Sequence, residues 1–103
     1  MLKNFSLLKR KDGMSLAEFR HWALEEHPLL ATKLPGLRHY HMCVVLDGQA
    51  EGPADAVSEM WFDSLETRAA AFATDAGKAA AGDAIAHCSA RTHVLTEEKV
   101  VIA

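Results

Sequence analysis

The chain has 103 residues, half of them hydrophobic and 24% charged, with a formal net charge of −3. That is enough for a single domain, residues 1–103, around one core. It leaves no basic footprint for nucleic acid, and no apolar run approaches a membrane span.

Leu2 to Lys9 reads as a first strand; the start MLKNFSLLKRKDG is too short in its apolar part and too interrupted by charge to read as a signal peptide. Arg10 to Gly13 forms a charged turn. A helix from Leu16 to Thr32 follows, opened by Ser15-Leu-Ala-Glu18, which has the capping-box pattern. At about 100° per residue, Leu16, Phe19, Ala23 and Leu30 gather in one apolar stripe. Glu18, His21 and Glu25 face away, and His27 falls at the edge of the stripe. Pro28 has no N–H, so the Leu24 carbonyl loses its usual partner and the helix is expected to kink or loosen. The residue before a proline is disfavoured in the helical region, so His27 is expected to leave it. On this reading His27 is either a core histidine bonded to backbone or a functional ring aimed at the interior.

Leu34-Pro-Gly-Leu37 is a turn. Arg38 to Leu46 is a second strand, with His39, His41, Cys43 and Val45 on one face and Tyr40, Met42 and Val44 on the other. Asp47 to Asp55 is a loop without a phosphate-binding pattern. Ala56 to Phe62 is a third strand: Val57, Glu59 and Trp61 share one face, Ala56, Ser58, Met60 and Phe62 the other. Asp63 or Ser64 caps a second helix, Leu65 to Ala73. Thr74 to Ala90 reads as one or two short helical pieces, with Asp75 as a cap and Gly77 and Gly82 as weak points. Thr92 to Ile102 is a fourth strand, interrupted near Thr96–Glu98.

The order β-α-β-β-α-β predicts an α+β, ferredoxin-like fold with a four-stranded antiparallel sheet and its helices on one face. Both faces of the strands carry apolar residues, whereas a one-sided sheet alternates cleanly. The second face therefore needs a cover, and a partner sheet in a two-fold homodimer, a dimeric α+β barrel, would supply it.

The segments KRKDGMSLAEFRHWALEEHPLL (Lys9–Leu30), LPGLRHYH (Leu34–His41) and SEMWFDSLE (Ser58–Glu66) resemble the EthD family of the dimeric α+β barrel superfamily. The likeness runs over nearly the whole chain. It implies a homodimer with a ligand cleft between helices and sheet in each subunit, and His27 facing that cleft. It also implies relatives that act without a cofactor on lactones and on aromatic or polyketide-like compounds, as isomerases, cyclases, dehydratases or decarboxylases in degradation and related pathways. Other relatives carry a general oxidoreductase description. Methylmuconolactone methylisomerase resembles the chain more distantly, and its strand-three cysteine falls on Met60, so no thiol role is carried over.

An imidazole can take and return a proton near neutral pH, which makes His27 the first candidate for general acid–base chemistry on a small cyclic carbonyl substrate. Tyr40 is a candidate donor to an enolate oxygen, or a packed sheet tyrosine. Trp61 is a flat apolar wall for a ring-shaped ligand, or a core tryptophan. Glu59 either orients His27 or is a solvated or dimer-paired carboxylate. Phe19 and His39 complete the candidate substrate-binding set.

His39 and His41 lie two apart on one strand face, as two ligands of one metal would, but no third ligand is specified, and His93 or Glu59 would have to converge on them. No metal is therefore expected, and the family resemblance implies no cofactor. His21 and His87 look like surface residues. Cys43 and Cys88 have no metal-like spacing and no adjacent base, and read as inert, reduced packing thiols of a cytoplasmic protein. The rival functions are an oxidoreductase or monooxygenase, for which the chain lacks a Rossmann glycine fingerprint, and a non-catalytic protein that holds a pathway intermediate.

Overall fold

The computed structural model describes residues 1–103. The elements are β1 (Leu2–Arg10), α1 (Leu16–His21), a π-helical turn (Trp22–Glu26), α2 (His27–Ala31), β2 (His39–Val44), β3 (Ala56–Phe62), α3 (Leu65–Ala73), α4 (Asp75–His87) and β4 (Cys88–Glu97). The strands form one antiparallel sheet in the order β2-β3-β1-β4, the ferredoxin-like arrangement the chain order predicts.

Alternation decides which face the helices cover. Asn4, Ser6 and Leu8 on β1 and Ala56, Ser58, Met60 and Phe62 on β3 are buried. Their neighbours of opposite parity are only half-buried. One cluster, Leu8, Phe19, Trp22, Ala23, Ala56 and Ala84, joins the first helical segment and α4 to the sheet. A second, around Ala31, Leu34, Met60, Phe62 and Ala71, closes the other end. Register lines up the polar positions on the covered face: Ser6 pairs with Ser58 on one side and His93 on the other.

The helix starts follow local chemistry. Both bonds of the Ser15/Glu18 capping box form. Ser64 caps α3 through the Thr67 N–H. Thr74, rather than Asp75, caps α4: its hydroxyl accepts from Gly77 N–H and donates to the Ala71 carbonyl, so it also closes α3. The alanine-rich stretch is one helix of 13 residues. The cost of its glycines is offset at Gly77 by contact, since a Cβ there would overlap Ala71 O and Phe72 Cα. Gly36 sits in the left-handed region (φ 77°) in the turn before β2, packed against Thr67.

The fourth strand departs from expectation. It begins at Cys88 and ends at Glu97, so Val100 to Ile102 are exposed and outside the sheet. A register shift at Lys9/Arg10 lets Cys88 pair with Arg10, which recruits the extra residues to the strand. The segment from Asp47 to Asp55 is fastened at its end by Asp55, whose carboxylate is fully buried and accepts from Arg10 N–H (2.9 Å) and from Lys9 Nζ (3.3 Å).

Candidate functional site

The π-helical turn places the central groups. In an α-helix, residues five apart lie about 140° apart around the axis, so Trp22 and His27 would diverge. The i→i+5 bond from His27 N–H to Trp22 O instead stacks them on one side. Their rings lie 4.9 Å apart between centroids. Pro28, the residue that cannot donate, follows immediately. The backbone adjustment falls on Glu26 (φ −104°, ψ −55°), and His27 itself remains helical (φ −58°, ψ −40°). The expectation that His27 leaves the helical region is thus corrected: the wider turn upstream absorbs the proline.

Both rings donate to one carboxylate on α4. His27 Nδ1 lies 2.8 Å and Trp22 Nε1 3.0 Å from Asp83 Oδ2. A carboxylate only accepts, so Nδ1 carries a hydrogen, and in the neutral tautomer Nε2 is the lone-pair nitrogen. His87 Nδ1 approaches the same residue, 2.7 Å from the Asp83 backbone carbonyl and 3.3 Å from Oδ1. Its ring stacks on Trp22 at 4.7 Å and 15°. His87 is therefore half-buried within the site, against the expectation of a surface histidine. Its i,i+4 relation to Asp83 and the flat face of Trp22 hold it there.

His27 is 5% exposed and lines a cavity between α2, α3, α4 and the sheet. The cavity offers about 380 Å³ of atom-free space, its open mouth included. Leu8, Met60, Phe72 and Ala80, Ala81 and Ala84 supply apolar lining; Ser6, Ser58, Arg91 and His93 supply polar lining. The small residues of α4 create the space, because larger ones would fill it.

The polar lining is a connected set of donors. Arg68 Nε donates to Asn4 Oδ1 (2.7 Å), and Asn4 Nδ2 donates to Ser6 Oγ (3.1 Å). Arg91 Nη2 lies 3.3 Å from His93 Nε2, and His93 Nδ1 lies 2.8 Å from Ser6 Oγ. Arginine nitrogens only donate, so His93 Nε2 accepts and Nδ1–H donates to Ser6. Burial, then the charges of Arg91 and Arg68, hold His93 below the usual histidine range, consistent with a neutral ring. Ser58 Oγ, Tyr40 Oη and Arg91 Nε are buried without a hydrogen-bond partner. Burial pushes the Tyr40 phenol up to about 12 while the adjacent Ser58 hydroxyl pulls it partly back. The two hydroxyls are neighbours but make no well-formed hydrogen bond.

The remaining candidates divide between the two faces of the sheet. Tyr40 lies on the helix-covered face, the same side as His27. Phe19 is fully buried against Trp22 (5.2 Å between centroids) and backs the cavity rather than lining it.

Trp61, Glu59 and His39 are on the opposite, open face. There Glu59 pairs with Lys3 (2.8 Å), and Trp61 Nε1 donates to Glu98 (2.9 Å). Lys3 Nζ sits 4.4 Å from the Trp61 ring, and His39 and His41 meet its edge. Glu59 consequently cannot orient His27; Asp83 does so. His93 lies on the covered face, away from His39 and His41, and no group of three or more His, Cys, Asp or Glu converges as metal ligands. Cys43 is exposed on the open face, not packed, and Cys88 is half-buried. Burial pushes Cys88 up to about 11.

Asp83, Ser58 and Arg91 were not singled out in the sequence. Asp83 had one available signal, a lone acid in an alanine-rich helix four residues before a histidine.

Residues 11–87 match the EthD domain family. The structure resembles the crystal structure of an ethyl tert-butyl ether D (EthD) family protein from Bacillus halodurans, with a TM-score of 0.81 and 27% identity over 96% of this chain and 99% of that one. A dimeric ferredoxin-like protein from Thermobifida fusca shares the fold at 18% identity, with a TM-score of 0.75, over 92% of this chain and 88% of that one. SnoaB, a cofactor-independent oxygenase from Streptomyces nogalater, shares it at 13% identity, with a TM-score of 0.70, over 95% and 92%. No curated protein sequence matches the chain.

Proposed function

Because the chain belongs to the EthD family, we propose that its cavity binds a small, largely apolar carbonyl compound on which His27 performs proton-transfer chemistry. The observation that carries this is the His27–Asp83 bond: it fixes the hydrogen on Nδ1 and leaves Nε2 free on a ring that lines the cavity. Nε2 removes a proton from carbon next to the carbonyl. The C–H electron pair moves into the enolate, and the same proton returns at another atom or leaves with an eliminated hydroxide. The product is an isomer or a dehydrated compound. Asp83 is a positioning residue that stabilises the imidazolium formed in between. Ser58 donates to the developing enolate oxygen, and the Tyr40 hydroxyl, kept protonated by its high pKa, supports Ser58. This step draws on the chain's own groups alone.

The protein is a homodimer in this reading, with the open sheet face against the same face of a second copy. That face carries Phe5, Leu7, Val57 and Trp61 half-buried and Val94 exposed, and the Thermobifida fusca relative is dimeric. Both cysteines are free, which suits the reducing cytoplasm. No helix is long and apolar enough to cross a membrane.

Solvent exchange of acidic C–H protons tests the chemistry. Wild type incubated in D₂O with a panel of butenolides and cyclic 1,3-diketones should speed deuterium incorporation into at least one compound, and His27→Gln should abolish that acceleration. Equal incorporation with His27→Gln would remove His27 from the mechanism.

A further inference from the structure

We propose that the ligand of this cavity presents an oxygen anion, a carboxylate or an enolate or phenolate oxygen, to a donor wall formed by Ser58, Ser6 and Arg91. This deepens the reading above, on which it rests for the choice of cavity. The argument is a count of donors and acceptors. The sheet wall already uses its acceptors internally: Asn4 Oδ1 takes Arg68, Ser6 Oγ takes Asn4 and His93, and His93 Nε2 takes Arg91. What remains unspent is Arg91 Nε, which can only donate, together with the Ser6 hydrogen and the hydroxyls of Ser58 and Tyr40, which can each donate. The Ser6 hydroxyl hydrogen has no acceptor among the bonds that fix its oxygen, and Ser58 Oγ and Arg91 Nε are buried without partners. An unmet buried donor is costly, so a ligand that supplies acceptors relieves the whole wall, whereas one that supplies only donors leaves Arg91 Nε and the Ser6 hydrogen unmet.

Charge points the same way. Arg91 lines the cavity and has no carboxylate partner, whereas Lys9, Arg10 and Arg38 all have one. Arg68, one layer behind, bonds only to an amide. His93 beside them is held neutral by burial and by these two guanidiniums. Among the other titratable groups at the cavity, Asp83 is engaged on the helix side by His27, His87 and Trp22, and the Cys88 thiol is protonated. The sheet side thus carries uncompensated positive charge inside a partly desolvated space, where charge-assisted hydrogen bonds are strongest.

Benzoate and its neutral isostere benzamide provide the test, titrated into the purified full chain by ligand-observed NMR at pH 7.5. Benzoate is expected to bind about tenfold tighter or more. Arg91→Gln should erase the preference, and Arg91→Lys, which keeps the charge but not the Nε donor, should retain part of it.

Should Arg91→Gln not fold, wild type alone still decides, through 4-nitrophenol. Its visible absorbance reports ionisation, and its pKa should fall on binding. Benzoate against 4-nitrophenolate also separates the carboxylate source from the phenolate source. His27→Ala distinguishes the two proposals: it removes the base but not the donors, so the anion preference should survive. Loss of the preference in His27→Ala, equal binding of benzoate and benzamide, or no binding of either would overturn the donor wall; a benzoate preference beside an unshifted nitrophenol pKa supports it with a carboxylate as the anion.

Discussion

Asp83→Ala is the most direct perturbation of the network that holds the histidine. Asp83 Oδ2 accepts from Trp22 Nε1 at 3.0 Å and from His27 Nδ1 at 2.8 Å. Trp22 is 1% and His27 5% exposed, so truncation strands two buried donors. At about 1–3 kcal/mol each, the unmet pair costs about 2–6 kcal/mol. The Asp83 side chain is 20% exposed, which lets water enter the vacated space, so the lower part of the range, about 2–4 kcal/mol, is expected. For a domain of this size that is a fall in Tm of roughly 8 °C or more.

Asp83→Asn keeps one acceptor oxygen and nearly the same volume and should cost about half as much. It should also free the His27 tautomer, so that ¹⁵N spectra show Nε2–H in place of Nδ1–H. The assay is urea unfolding at one fixed protomer concentration, because a dimer's apparent stability depends on it. Asp83→Ala within about 0.5 kcal/mol of wild type, or an unchanged His27 tautomer in Asp83→Asn, would refute the network as drawn.

His93 bears on pH dependence. Its folded pKa lies below the unfolded value because burial and two arginines disfavour the charged ring. The stability this contributes is fully present above pH ~6.5 and is lost as pH falls through the lower folded value. Urea midpoints measured from pH 7.5 down to 5 should therefore decline less steeply in His93→Gln than in wild type; parallel profiles would contradict the assignment. Gly77→Ala forces a methyl into Ala71 O and Phe72 Cα. It should destabilise by about 1–3 kcal/mol despite alanine's better helix propensity, whereas Gly82→Ala, with open space around it, should be neutral or stabilising. A calorimetric comparison of the two variants checks the sign.

Much of the architecture was legible because several elements announced themselves by local chemistry. The Ser15/Glu18 box, the Leu34–Leu37 turn and the alternation of Ala56 to Phe62 all sit where the structure has them. The inward aim of His27 was legible too, from its place near Leu16 and Ala23 on the helical wheel. Its partners were not. A wheel drawn at 100° per residue separates Trp22 from His27, and only the π-turn brings them onto one carboxylate. Asp83 is some 56 residues away in sequence from His27, and nothing local marks it as the acceptor.

Period-2 alternation sorted the strand residues correctly by face, yet it does not say which face receives the helix carrying His27. Glu59, Trp61 and His39 accordingly end on the far side. The buried hydroxyl of Ser58 and the guanidinium of Arg91 look like ordinary strand residues until register sets Ser6 between Ser58 and His93.

The widened turn before Pro28 has a consequence for how such a chain can change over generations. Losing any one residue between Trp22 and Glu26 would restore ordinary helical pitch, and to the backbone alone that is a gain. It would also turn the i,i+5 relation of Trp22 and His27 into i,i+4, which an α-helix keeps on one face, so the indole and the imidazole would stay neighbours on the side that meets Asp83. A single deletion inside these five residues therefore heals the helix without parting the two rings. A relative that had healed the turn should keep the scaffold and still present both rings on one side of the helix.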